Sequence, residues 1–571
     1  MIQSIKRLLI SVAVMALGLP GCGPEGPQLA FKFTIARQPL DSPLGGPAPE
    51  RGQPPPGIDA FRICIQDATG KKLVCDDFID LNAPSVKVEG IPAGSDRVVT
   101  FQGYSVDPNS RELDVIWCGR TTGVDIHDKG ITPVSMLISL CGDFTETPAP
   151  LLEGRVFHTA TKLTNGKVAI VGGYVSLQTG TGCTRACTAL TASNSVEIYD
   201  PNLGTFTQAM NLTHARGLHV ARALPDGRLL VAGGCQTASL QSTFADADNP
   251  GSPLRCLEPG AAASSAEIID PAAANGQSFD IPSSIFAGSL ELGSDQLVLV
   301  GGLDSAGNTQ DSAVMLYAVG LSLTATEIPS VLAAKRRSAT SVAISIPGSD
   351  PAEGLILGGM PATDLNDPGL FAERLVAAQG EVFTSVPRFV ETSIGTGLPV
   401  MHASGARVSP GRLLFSGGVF PGRFLDQDMP FLPKPIGYSA IIDIRTESFQ
   451  LLPTESQLGI PRVFHSTTVV DSAGHALAAG GFFKLDPTAR AHHQASTSVE
   501  AWDEELQSFT LVWLRGDPVN MIYPRAGHTA TRLPNGTILL VGGLDDSSIQ
   551  NTAEIFSPFS TELGSEGLSS L

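Results

Sequence analysis

Apolar residues in this chain come in short bursts separated by polar turns, without the long stripes of amphipathic helices. Seven bursts end in a Gly-Gly doublet, at 172–173, 233–234, 301–302, 358–359, 417–418, 480–481 and 542–543. The intervals between these doublets are 61, 68, 57, 59, 63 and 62 residues. Self-similarity at such a period marks a repeat architecture. The first unit reads RVFHTATKLTNGKVAIVGG (155–173), then SVEIYDPNLGTF (195–206). The second reads RGLHVARALPDGRLLVAGG (216–234), then SAEIIDP (265–271). The sixth reads RVFHSTTVVDSAGHALAAGG (462–481), then SVEAWDEELQSF (498–509), and the last RAGHTATRLPNGTILLVGG (525–543), then TAEIFSP (552–558).

Each unit predicts a strand, a tight turn carrying Asn-Gly or Asp-Gly, an apolar strand, the doublet and a loop. A third strand, a short turn and a fourth strand near Phe206 or Phe509 follow. This pattern resembles the bacterial kelch repeat over about residues 143–571. The resemblance implies an all-β, kelch-type β-propeller in which each unit is one blade around a central channel. Seven blades are expected. Six with an irregular insert is the alternative, because units three, four and five are degenerate. Asp143-Phe-Thr-Glu-Thr147 precedes the first Arg-x-x-His as Phe206-Thr-Gln precedes the second, so it is a candidate fourth strand for the last blade. Phe559 to Leu563 is the rival.

The N-terminus has another pattern. Lys6 and Arg7 precede the apolar run Leu8 to Leu19. Twelve residues are too few to span a bilayer, which takes about 20, but suit a signal-peptide core. Leu19-Pro20-Gly21-Cys22 resembles a lipobox, which implies a signal peptide over 1–21 and a diacylated Cys22 that binds the membrane through its acyl chains. Ordinary signal cleavage beside a chance cysteine is the alternative. Gly23 offers no acidic retention signal, so the expected location is the outer membrane, on its periplasmic or cell-surface side.

Residues 22–57 are rich in Pro and Gly and read as a tether, with one strand-like island at 29–35. Strand patterns recur from 58 to 142, predicting a small β-sandwich ahead of the propeller. Its Val88-to-Gly94 stretch resembles a turn common in transthyretin-like and immunoglobulin-like modules.

Composition agrees with the strand reading. Charged residues are 16%, against about 25% in an ordinary soluble domain, while Gly numbers 61 and Pro 42. The net charge of −19 argues against nucleic acid as a partner, since that needs a basic surface. Of nine Cys, eight lie beyond Cys22. Pairing sequence neighbours gives Cys64–Cys75, Cys118–Cys141, Cys183–Cys187 and Cys235–Cys256, bonds that persist in an exported protein.

Candidate chemistry is sparse. Arg-x-x-His occurs at Arg155/His158, Arg216/His219, Arg462/His465 and Arg525/His528, and a third-strand Glu at Glu197, Glu267, Glu500 and Glu554. Both features occur together in units one, two, six and seven. Such co-occurrence predicts structural Arg–Glu ion pairs, because a buried carboxylate needs a partner. The His residues, with His402 aligned to them in unit five, read as hydrogen-bonded core residues. One His per blade is too spread to ligate a single metal ion. No catalytic cluster, cofactor site or metal site is expected.

The loops between second and third strands are long at 174–194, 235–264, 419–437 and 482–497, so the face carrying them and the fourth-to-first connections is the expected site for a protein or glycan partner. The leading expectation is a membrane-anchored envelope binding protein. The alternatives are an envelope structural component and an enzyme. Some kelch-type propellers are copper radical oxidases, which need a Cys–Tyr crosslink with Tyr and His ligands.

Overall fold

A computed structural model describes residues 27–37, 58–75, 79–80, 90–106, 113–179, 187–241, 253–292, 295–332, 335, 337–338, 340–343, 353–357, 371–376, 388–395, 400–420, 434–443, 446, 448–485, 493–514 and 516–558. Cys22, Cys183, the doublet at 358–359 and the segment 559–563 lie outside them.

The described residues are all-β apart from two short 3-10 turns at Ala261–Ser264 and Thr454–Ser456. Seven four-stranded antiparallel sheets follow one another, each ordered first, second, third, fourth strand. The first sheet contains Thr159–Lys162, Val168–Val171, Ser195–Asp200 and Thr205–Asn211. The second contains Val220–Ala223, Leu229–Ala232, Ser265–Asp270 and Asn275–Asp280. The third runs over Gly288–Ile328, the fourth over Thr340–Gly395, the fifth over Ser404–Leu451 and the sixth over Ser466–Leu511. The seventh takes three strands from Thr529–Arg532, Ile538–Val541 and Ala553–Phe556. Its fourth strand is Phe144–Glu146, paired Phe556 to Phe144, with the two rings 4.9 Å apart.

Burial explains the sequence of each strand. The second strands VAIV, LLVA, ALAA and ILLV are buried at every position. Both of their faces are covered, so they read as apolar runs and not as alternations. The fourth strand Asn275–Asp280 is mostly exposed and polar. Apolar cores lie between successive sheets. Leu163, Val171 and Val196 of the first pack with Leu229, Val231 and Ile269 of the second. Val168, Ile170 and Tyr199 pack with Leu539, Val541 and Ile555 of the seventh. A sheet with two apolar faces has to be sandwiched by neighbours, as the first sheet is between the second and the seventh.

Ahead of these sheets, Gln28–Ile35, Ala60–Gln66, Lys72–Cys75, Ile79–Asp80, Gly94–Val106, Leu113–Ile126 and Ile131–Leu140 form one hydrogen-bonded sheet. The sequence predicts a two-sheet sandwich, so this is a correction in hydrogen bonding. Packing explains the difference. Phe33 and Phe101 lie on strands three places apart in the ladder, about 14 Å in a flat sheet. Their rings are 5.2 Å apart, so the sheet folds back on its own core. Bulges at Gly94/Arg97, Arg97/Val99 and Gly103/Tyr104 supply the bend. The Cys64–Cys75 disulfide joins directly paired residues of one hairpin, and Cys118–Cys141 joins the strand Leu113–Ile126 to the turn just past Ile131–Leu140. This sheet abuts the seventh. Gly142 donates to the Ser557 carbonyl at 2.7 Å, and Arg37 exchanges two backbone hydrogen bonds with Glu146.

Candidate binding face

Four arginines organise the end of the sheets that carries the doublets. Arg216 is fully buried and donates from Nη2 to Glu267 at 2.7 Å, and Arg462 does the same to Glu500 at 2.6 Å. Arg155 pairs with Glu197 and Arg525 with Glu554 in the same arrangement. Each pair lies within one sheet. Nη1 of each Arg donates to the carbonyl of the first Gly of its own doublet, Gly172, Gly233, Gly480 or Gly542. Each Glu also accepts two backbone amides of the fourth-to-first connection, as Glu267 does from Thr213 at 2.6 Å and His214 at 3.1 Å. One ion pair therefore ties the doublet, the third strand and the incoming chain together, which is why Arg and Glu occur together in a unit.

The fourth sheet carries a glutamate in the same register, which the sequence analysis did not single out. In the fourth sheet Glu373 sits opposite Ile356, the register that Glu197 holds opposite Ile170. The Arg336-Arg-Ser338 run was the available signal.

Neighbouring sheets are stitched through the same residues. The second Gly of a doublet donates to the Arg carbonyl of the next sheet, Gly173 to Arg216 at 2.9 Å, Gly418 to Arg462 at 2.8 Å, Gly481 to Arg525 at 2.8 Å and Gly543 to Arg155 at 2.8 Å. The histidines reach the preceding sheet. His219 Nε2 lies 2.9 Å from Thr159 Oγ1, His158 Nε2 2.8 Å from Thr529 Oγ1, His465 Nε2 3.1 Å from Ser416 Oγ and His528 Nε2 2.9 Å from Ser466 Oγ. Burial and the adjacent guanidinium push His219 and His528 down to about 3, so both are neutral at pH 7. His158 and His465 are lowered well below the usual value by the same causes.

His402 does not belong to this set, which corrects the sequence alignment. Met401 bridges Val419 as Val156 bridges Tyr174, so His402 holds the place of Phe157 and Ala403 that of His158. The place of the arginines in unit five is Val400. The single-residue offset is invisible without the cross-strand register.

The register of Phe157 is itself notable. Phe157, Leu218, Phe286, Ser338, His402, Phe464 and Gly527, one per sheet, all have φ between 53° and 64°. Their backbones bond around a ring, Leu218 N–H to Phe157 O at 3.0 Å, Phe157 to Gly527 at 2.9 Å, Gly527 to Phe464 at 2.8 Å and Ser338 to Phe286 at 3.1 Å. Left-handed backbone is costly for bulky residues and persists only where the surroundings enforce it. Phe157 packs edge-on against Phe464 at 5.1 Å, and Phe464 lies 4.7 Å from the His402 ring. Rings from three units therefore gather at this end of the sheets.

The long loops build outward from it. Tyr174–Thr179 and Cys187–Ala192, from the first unit, join Thr237–Gln241 and Leu254–Glu258, from the second, in one additional four-stranded sheet. The Cys235–Cys256 disulfide staples it. Cys187 opens its second strand, and its expected partner Cys183 lies outside the described residues. Small hairpins, Val419–Phe420 with Lys434–Pro435 and Phe482–Lys484 with Gln494–Ala495, occupy the corresponding loops of units five and six. His493 is buried and lies 5.2 Å from the Phe482 ring. Asp304 and Asp545 cap their own turns through backbone amides, so their oxygens serve local structure.

A copper radical site would need Tyr, His and Cys converging at one place. Cys235 and Cys256 are disulfide-bonded. The Tyr174 hydroxyl donates to the Cys235 carbonyl at 3.1 Å, and burial raises its pKa far above the ordinary value. The Nε2 atoms of four histidines are engaged with hydroxyls. The described residues therefore do not fit that group, and none of them forms a cluster of three metal-ligating side chains.

No family model matches this chain, and no curated protein matches it. Among solved structures it is similar to a novel fungal alcohol oxidase of the AA5 family, in complex with copper, at 15% identity and a TM-score of 0.49, covering 74% of this chain and 77% of that one. A likeness at this level transfers no activity.

Proposed function

We propose that this chain is an extracytoplasmic binding protein. It is a seven-bladed kelch-type propeller carried behind an N-terminal β module formed by residues 58–142 together with the strand Gln28–Ile35, on a tether that begins at Cys22. Diacylated Cys22 holds it to the outer membrane, and a protein or glycan partner binds the face bearing the long loops. The observation that carries this reading is the additional sheet shared by the loops of units one and two. Loops that drift freely do not pair strand to strand across two units and carry a disulfide. Function commonly sits on ordered loops held by a rigid scaffold. Repetition of one four-strand order in seven sheets supports the blade count.

The test is capture on a glycan array and on intact-cell surfaces by the full chain in detergent. It is compared with a variant whose residues 237–258 are replaced by a short Gly-Ser link together with Cys235→Ala, and with Phe483→Asp on the exposed hairpin of unit six. Loss of capture in these variants supports the loop face. Undiminished capture in both overturns it. Mass spectrometry of the mature N-terminus tests the anchor, and an unacylated start removes it.

A further inference from the structure

Three contacts between the N-terminal module and the seven sheets lie on the same side. Neighbouring strands run antiparallel, so the first-to-second and third-to-fourth turns mark the side opposite the long loops. In the seventh sheet the third strand runs from Ala553 to Phe556 toward that side, and Ser557 just beyond it accepts a hydrogen bond from the Gly142 amide at 2.7 Å. The buried hydroxyls of Ser139 and Ser557 bond to each other as well. Leu137 is buried against the third-to-fourth turn of the first sheet, where a Cβ on Gly204 would sit 3.1 Å from its Cδ1. Leu137 and Ala36 share one apolar cluster with Leu533, in the first-to-second turn of the seventh sheet. The Cys118–Cys141 disulfide and a 2.9 Å bond from the Cys141 amide to the Ile116 carbonyl fasten the module's side of this joint. Neighbouring units swing on one another where contacts are few and polar, whereas this joint is apolar and buried.

The chain enters at the far end of the module. Gln28–Ile35 and Ile131–Leu140 pair in parallel, Gln28 beside Ile131 and Ile35 beside Ile138, so both strands run from that end toward the sheets. Gln28 donates to the Gly130 carbonyl at 3.0 Å. The ten residues of Ile131–Leu140 separate the two ends by about 30 Å. The turn 127–131 at the far end is exposed throughout, and the apolar Ile131 is 64% exposed. Cys22 lies six residues before Gln28, so an acylated Cys22 allows at most about 22 Å of chain between the lipid and this end.

We propose that the module is a rigid strut, which meets the lipid surface with the 127–131 turn and holds the propeller about 30 Å away with its loop face outward. This inference rests on acylation of Cys22. The tether is too short to carry the far end away from the lipid, and Ile131 supplies an apolar side chain to the interfacial layer. The long loops are left open to a partner beyond the membrane.

Hydrogen exchange and neutron reflectometry of the acylated full chain on bilayers of phosphatidylethanolamine and phosphatidylglycerol test it. Relative to the same chain without its acyl anchor in solution, exchange should slow at least threefold over 127–131 and stay unchanged in Thr237–Gln241 and Leu254–Glu258. Reflectometry should place the densest protein layer beyond a thinner one about 30 Å deep. Slowed exchange in those loop strands, unchanged exchange over 127–131, or the densest protein lying against the bilayer overturns the strut. Flotation separates this from the anchor. A chain that does not float with vesicles of the same lipids sinks anchor and strut together. A chain that floats but gives any of the three contrary results sinks the strut alone.

Discussion

The backbone amide of Gly543 donates to the carbonyl of Arg155 at 2.8 Å, joining the seventh sheet to the first. The same bond links Gly173 to Arg216 and Gly481 to Arg525. The seventh and first sheets are therefore linked by the joint found between other neighbours, and the N-terminal side lends the seventh sheet its Phe144–Glu146 strand.

The first glycine of a doublet is held by that joint. A Cβ on Gly542 would sit 2.3 Å from the Arg155 carbonyl oxygen, and its φ is 61°. Gly542→Ala should destabilise the chain by roughly 2–3 kcal/mol through strain and separation of two sheets. Urea unfolding followed by tryptophan fluorescence checks this. Gly307→Ala is the control, since its Cβ would meet no atom within 4 Å at a comparably positive φ of 84°. A similar loss in both variants would assign the effect to backbone strain alone.

The Arg–Glu pairs are buried, so removing one partner strands the other. Arg216→Met should cost about 3–5 kcal/mol, because Glu267 would remain charged and buried. The double variant Arg216→Met with Glu267→Leu should recover a large part of that loss. A double-mutant cycle in urea measures the coupling, and additive losses would contradict a paired role.

Histidine burial sets a pH dependence. His219 and His528 bind protons with pKa values of about 3 in the fold, against an ordinary 6.5 when unfolded. The unfolded chain therefore holds more protons between those values, and stability falls as pH drops from about 6.5 toward 3. Thermal unfolding from pH 7 to pH 4 should show this fall. His219→Asn with His528→Asn should flatten it, and an unchanged slope would place the acid sensitivity elsewhere.

The Cys235–Cys256 bond closes a sequence separation of 21 residues. Cross-links of this size typically contribute about 2–4 kcal/mol. Cys235→Ala with Cys256→Ala should speed proteolytic cleavage between 237 and 258 while leaving the fragment pattern of the fifth to seventh units unchanged. Uniform acceleration would mean that the additional sheet is not an independent layer.

The sequence determined what is local and periodic. Period-two alternation, Asn-Gly turns and fully apolar second strands dictated strands, and the spacing of the doublets dictated repeated units. Three disulfides followed from cysteines that are neighbours in sequence. Tertiary structure decided what depends on register between strands. It moved His402 from the His place to that of Phe157, beside the Phe464 ring, brought Glu373 into the line of Glu197, and joined two loops from separate units into one sheet. It also turned the histidines toward hydroxyls of the preceding sheet and folded the expected sandwich from one continuous ladder. The reason is physical. Strand propensity and turn chemistry act over a few residues, while a shift of one residue changes every cross-strand partner and leaves the local pattern almost intact. Arg337 shows the limit most clearly. In sequence it is one of two adjacent arginines, and only the packing of the sheets buries it.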